Sequence, residues 1–388
     1  MPSNPGSLYG THRRIEYCPS HVGRFVLVSR HLTQESTSTR NPPPRTAIAT
    51  ATLRSFTPFG FIALVAALAA GAQSVQTPAA ANSGPSSAHL QATGVMTPGI
   101  VRPVGQLLHT AVFPVAGSPD WSVVTGHAVW VASARANHVV QLLPGSNTVG
   151  LIADVARPCS GLAAGFGSIW VPSCATHQVV RIDPATGAQT AAIAADPANS
   201  EGGITVGGGS VWFVVKPSHL IRIDPATNAI AASLDLPSGS ENPAYGDGFV
   251  WITSFEHNAL LKIDPRTNAL VATIAVGPKP RFLTIGAGSV WTLNQGDGTV
   301  SRVQMRSGKV TASIACGLAG EGGEISYAYG AVWAALFRFP LTEIDARTNR
   351  VVAQWAGDGG DGVRAGLGSV WLSNLRQQTV WRVSPKQK

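Results

Sequence analysis

Charged side chains are scarce in this chain, at 12% of its 388 residues. An ordinary soluble domain carries about twice that share, so a helix-rich fold with charged solvent faces is disfavoured. Cysteine is limited to 4 residues, and no paired C-x-x-C, H-E-x-x-H or G-x-S-x-G stands between residues 106 and 388. The common zinc-site and hydrolase signatures are therefore missing. No apolar run reaches the roughly 20 residues needed to cross a bilayer, so no stable transmembrane span is expected. A concentrated basic region is lacking as well. The formal net charge is +8, yet residues 1–72 hold 7 Arg against 2 acidic residues, and residues 73–388 hold 21 basic against 18 acidic. A body so nearly balanced gives no case for a nucleic-acid partner.

What the chain has in abundance is turn formers, 42 Gly and 27 Pro, with 44% hydrophobic residues. That combination points to an all-β fold rich in turns. The longest apolar stretch, FGFIALVAALAAGA at 59–72, follows Arg45 and Arg54 and ends in Ala70-Gly71-Ala72. A basic flank, a short apolar core and a small-residue end read as an export signal cleaved after Ala72. The residues ahead of it show no periodic pattern and are read as a doubtful leader, with the true start near Leu53. The mature protein is then expected in the periplasm or outside the cell. Residues 73–105, rich in Ala, Ser, Pro, Thr and Gly, read as a flexible tether.

One stretch, GGGSVWFVVKPSHLIRIDPATNAIAASL from Gly207, would by itself suggest a phosphate-cradling loop. Its recurrence excludes that. The tryptophan of the phrase returns at 130, 170, 212, 251, 291, 333 and 371, at intervals of 38 to 42 residues. Within each copy the apolar residues alternate with period two, the pattern of strands. In the fifth copy, strands are predicted at Arg281–Ile285, Val290–Asn294, Thr299–Gln304 and Lys309–Ile314. Four strands per forty residues is one blade, and seven copies make a seven-bladed β-propeller over 106–388. The last copy stops after three strands, and TAVFPV at 110–115 reads as the fourth strand of blade seven, closing the ring. The IDPATN phrase, with Asp183, Asp224, Asp264 and Asp345 in its copies, is a turn device: Asp accepts from backbone two residues on, and Pro presets φ. The repeated Trp is expected between neighbouring blades.

Strands one and two of blade two form a hairpin that sets Cys159 opposite Cys174, within disulfide reach; Cys316 looks unpaired. Two buried apolar cysteines are the other reading. The entries into strand one share a face with the loops after strand two, and a propeller commonly binds ligands on such a face. In chain order those entries hold Asp120, Glu201, Glu241 with Asn242, Arg281, Glu321 with Glu324, and Asp361, an acidic rim with Arg281 as its base. Converging carboxylates suit a divalent cation, Mg or Ca, or a cationic ligand; otherwise they are soluble turn caps. His138, His177, His219 and His257 follow strand two in four consecutive blades and are read as loop residues. A binding or scaffold propeller is expected: a monomer with no catalytic residues and no required cofactor, taking a small molecule or a protein at its loop face.

The G-x-G-S-V-W strand and I-D-P-x-T-N turn resemble YVTN-type propeller repeats of exported bacterial proteins and those of the virginiamycin B lyase (streptogramin lyase) family, over roughly residues 106–384. The resemblance implies a seven-bladed fold. For the lyase family it further implies magnesium-dependent elimination opening a cyclic ester, with a His as general base near strand-one entries of Pro-His-Gly-Ile type. Here the matching entry in blade three reads Glu201-Gly202-Gly203-Ile204-Thr205, and blades five to seven offer Arg281, Glu324 and Asp361. For a lyase on this chain, Glu324 could stand as a substitute base or as a magnesium ligand.

N-terminal sequencing of the mature protein is expected to begin at Gln73; residues from before Ala72 would refute the cleavage site.

Overall fold

In the computed structural model, which describes residues 91–386, strands form seven sheets around one axis. Blade one comprises Pro119–Val124, Val129–Ser133, His138–Leu143 and Thr148–Asp154. Blade five comprises Pro280–Gly286, Ser289–Asn294, Thr299–Gln304 and Val310–Ala315, within about a residue of the sequence expectation. Strand one of each blade lies innermost and strand four outermost. Blade seven takes Val363–Gly366, Ser369–Asn374 and Thr379–Val383 from the C-terminal end and His109–Pro114 from the N-terminal end. The two pair antiparallel, Phe113 opposite Val380, and Phe113 is buried with its ring 5.8 Å from that of Trp371.

The repeated tryptophans are the largest buried side chains of the ring. Trp170 sits among Val211, Phe213 and Ile221 of blade three, and Trp371 among Val129 and Val131 of blade one. Each indole therefore seals its blade against the next. In six blades Nε1 donates to the carbonyl five residues earlier, at the end of strand one, as Trp212 does to Gly207 at 3.0 Å. In blade one, the weakest copy, Trp130 Nε1 is buried without a partner among the described residues. There Thr125 replaces the usual glycine and its hydroxyl ties back to Ala128.

A second device lies on the face opposite the loop entries. The residue paired with the tryptophan on strand three is Arg181, Arg222, Lys262, Arg302 or Arg382 in five blades. Each lies over an indole and reaches the strand three–four turn of the next blade: Arg181 to Pro225 O at 2.7 Å, Arg302 to Ala346 O at 2.8 Å, Arg382 to Pro144 O at 2.7 Å. The turns behave as read, with Asp183 Oδ1 accepting from Ala185 N–H at 2.8 Å and Asp224 Oδ1 from Ala226 N–H at 2.9 Å. Blade six carries Glu343 at the strap position. Its neighbour, blade seven, has no such turn to grasp, because its fourth strand arrives from the N-terminal end.

The tether reading needs correcting at its end. Thr93 and Gly94 N–H groups donate to Gly317 O, Val95 N–H donates to Gln354 Oε1, and Val101–Pro103 runs parallel to Arg350–Ala356 as a fifth strand of blade six. Composition hid this because the attachment uses backbone groups and an open sheet edge, which leave no apolar period. The leader, the export signal and the rest of the tether lie outside the described residues. No helix among the described residues is long and apolar enough to cross a membrane.

Removing one strap tests its weight. Arg302→Ala is expected to lower the unfolding free energy by about 2 kcal/mol in urea titration, since hydrogen bonds from a charged donor are worth more than neutral ones. Glu343→Ala, at the same position with no strap to lose, is expected to change it far less.

Candidate functional site

Strand one of every blade runs from the loop face toward the opposite face, so its first residues ring the axial mouth. Further in, Trp121 of blade one and Phe282 of blade five meet edge-to-face at 5.7 Å, and both are buried. These blades are not neighbours, so the pair spans the axis. Leu162 of blade two and Ile325 of blade six join the same apolar cluster. A cavity of about 310 Å³ adjoins this plug, with Thr205, Ile285, Asn242, Glu324 and Arg364 among its walls.

The mouth brings most of the predicted residues together. Asp361 and Glu324 are buried, as are Glu241 and Asn242. Glu324 Oε1 is paired with Arg364, and its Oε2 accepts from Val363 N–H at 2.9 Å. Arg364 Nε also donates to Ser122 O at 2.9 Å, so this pair ties blades six, seven and one. Asp361 Oδ1 accepts from Gly323 N–H at 2.8 Å. Asn242 Nδ2 donates to Glu201 O and Arg281 O, both at 2.9 Å, linking blades three, four and five. Arg281 lies 4.6 Å above the Phe255 ring, donates to Gln295 Oε1 at 3.1 Å and faces Glu241 Oε2 at 3.4 Å.

Crowding shows in the acidities. Burial pushes the Asp120 carboxyl well above its usual range, and the charges of Asp361, Glu201 and Glu324 push it the same way. Burial raises Glu201, with Arg281 opposing. Burial likewise raises Glu241 against the pull of Arg281 and Asn199. Glu324 is pushed by burial to about 7 despite Arg364, and Asp361 by burial to about 7 despite the Gly323 N–H. Among the described residues Asp120 forms no ion pair, whereas Glu241 and Glu324 face Arg281 and Arg364.

Glu321 does not join them: it is exposed and makes no hydrogen bond or ion pair among the described residues. The expectation of a single base on the rim is also corrected by Arg364. Its signal was present in strand one of blade seven, Val363-Arg364-Ala365-Gly366, where an arginine interrupts a strand otherwise made of small and apolar residues. Cys159 and Cys174 are bonded, with S–S 2.03 Å and Cα–Cα 5.9 Å, and Cys316 is a buried free thiol. The disulfide sits beside Ser160, whose N–H donates to Ser200 O at 2.9 Å, so it anchors the entry of blade two against blade three. The loop histidines stand apart from the mouth acids: His177 pairs with Asp196 at 2.7 Å, His219 with Asp235 at 2.7 Å, and His257 Nδ1 lies 3.1 Å from Ser238 O. Among the described residues, no three His, Cys, Asp or Glu side chains are placed to hold a metal ion.

Among solved structures the fold is similar to a streptogramin B lyase, with TM-score 0.60 and 18% identity over 70% of this chain and 96% of that one. It is equally similar to the hydrazine synthase of Kuenenia stuttgartiensis, with TM-score 0.60 and 12% identity over the same shares. The chain is a seven-bladed β-propeller. Identities this low carry the fold and nothing about chemistry. No family model and no curated protein matches the sequence.

A pH dependence follows. Asp361 and Glu324 hold their protons more tightly when folded, at about 7 against ordinary values of 3.8 and 4.5. A raised acid contributes stability that is complete below its unfolded pKa and lost as pH rises through the folded one. The melting temperature is therefore expected to fall between about pH 4 and pH 8, and Asp361→Asn to flatten part of that fall. A wild-type melting temperature constant across this window would contradict the assignment.

Proposed function

We propose that this is a binding propeller whose mouth takes an organic cation, an ammonium- or guanidinium-bearing small molecule or the basic side chain of a protein. The observation that carries it is the uneven pairing of the mouth acids: Arg281 faces Glu241 and Arg364 holds Glu324, while Asp120 has no ion-pair partner among the described residues. A cationic group at that point would relieve the mutual repulsion of the acids. A bare divalent ion suits the site less, because the carboxylates are not placed to coordinate one together. The Cys159–Cys174 bond supports an oxidising location, periplasmic or secreted.

A second reading, a lyase acting on a cyclic ester, has Glu324 in its favour. That carboxyl lines the cavity and is raised to about 7, suited to proton abstraction near neutral pH. Both of its oxygens are already engaged, by Arg364 and by Val363 N–H, and this favours binding over catalysis.

Isothermal titration with spermidine tests the proposal. Affinity is expected to rise from about pH 6 to pH 8 as the acids ionise, and to drop about tenfold or more in Asp120→Asn. No binding, or binding equally strong in Asp120→Asn, would overturn it.

A further inference from the structure

Because the strap recurs around the ring, each seam is a control for the others. Arg181, Arg302 and Arg382 each donate twice through Nη1, once to a turn carbonyl and once to the turn asparagine, Asn228, Asn349 or Asn147, at 2.7–2.9 Å. At the seam between blades three and four, Arg222 keeps only the first bond, to Pro265 O at 3.2 Å. The matching acceptor, Asn268 Oδ1, is buried without a partner among the described residues. Beside this withdrawn guanidinium lies a cavity of about 550 Å³, walled by Tyr245 and Phe249.

The turn sequence does not explain the difference. Arg347 occupies the same turn position as Arg266, and the strap onto its turn is intact. What sets this seam apart is Phe249. It stands where Ser168, Ser210, Ser289 and Ser369 accept the strap arginine of their own blades. Lys262 lies over its ring at 3.8 Å instead. Arg266, also in the wall, is held by both oxygens of Asp264, and the exposed Asp247 is the acid of the lining. Arg222 thus has N–H groups to spare: among the described residues it bonds only Pro265 O and, through Nε, Ser210 Oγ.

The geometry points to this cavity as a binding site for a small aromatic carboxylate, its ring between Tyr245 and Phe249 and its carboxylate on the free Nη1 and Nη2 hydrogens of Arg222. A planar guanidinium takes a carboxylate in two parallel bonds, and aromatic walls favour a flat body over an aliphatic one. The site is on the face opposite the mouth and does not depend on the reading given to the mouth acids.

Benzoate titrated into the full chain, followed by NMR, tests this. Saturable single-site binding is expected with Kd of about 1 mM, the range open to so small a ligand. Arg222→Gln and Phe249→Ser are each expected to weaken it about tenfold or more. Phe249→Ser gives blade four the residue that four other blades carry, so it is expected to fold, with a melting temperature lowered by the packing it loses, and it decides the matter if Arg222→Gln does not fold. Absence of saturable binding, or unchanged affinity in Phe249→Ser, would overturn the assignment.

Discussion

The seating of one indole per blade is the interaction on which this ring depends. Each tryptophan buries its faces against the next blade, and in six of the seven blades it spends its single N–H on the end of its own strand one. That end is glycine where the next blade presses closest. A Cβ on Gly207 would come within 2.0 Å of the Tyr245 ring, and one on Gly286 within 1.9 Å of Tyr327. Glycine, indole and the neighbour's side chain are one packing unit, which is why they recur together. The strap cation covers the same indole from outside, with Arg302 at 4.6 Å from the ring centroid of Trp291, and carries the contact on to the next turn. The repeated phrase is therefore a joint written seven times, with local substitutions where a neighbour differs.

The mouth follows from the same geometry. Blades set around an axis bring the starts of their innermost strands together, so residues scattered across the sequence come within one another's electric field. Asp120, Glu201, Glu324 and Asp361 come from four blades, yet the last three all act on the first. Arg281 and Arg364 do not neutralise the group evenly, because each is fixed by local hydrogen bonds, to Gln295 and to Ser122. Asp120 meets that crowding by holding its proton well above the ordinary carboxylate range.

Blade number, strand order and turn chemistry were legible because they rest on periodicity, and periodicity is a property of the sequence itself. The Cys159–Cys174 pairing could be read from one hairpin. The rim acids could be listed, since each sits at the start of a strand, but neither their protonation nor their partners could. Those depend on which blades face each other across the axis. Arg364 was visible only as an oddity within an apolar strand, and Glu321, next to a true mouth residue in sequence, turns outward. The docking of residues 91–105 on blade six was illegible because backbone pairing onto an open edge requires no particular side chain.

The shared sheet of blade seven has a consequence for how the ring comes together in time. Thr110 and Arg382 are hydrogen-bonded across 272 positions of sequence, a separation that places this contact among the slowest to form. The outer strand of blade seven has no partner until the C-terminal strand exists. Until then Phe113 and Val115 have only the blade-one part of their cluster to pack on, Val129, Val131, Val140 and Leu142, and blade one presents the face that Trp371 will cover. The N-terminal strand of blade seven waits for the C-terminal one, so that sheet is complete only when both ends of the propeller have been made.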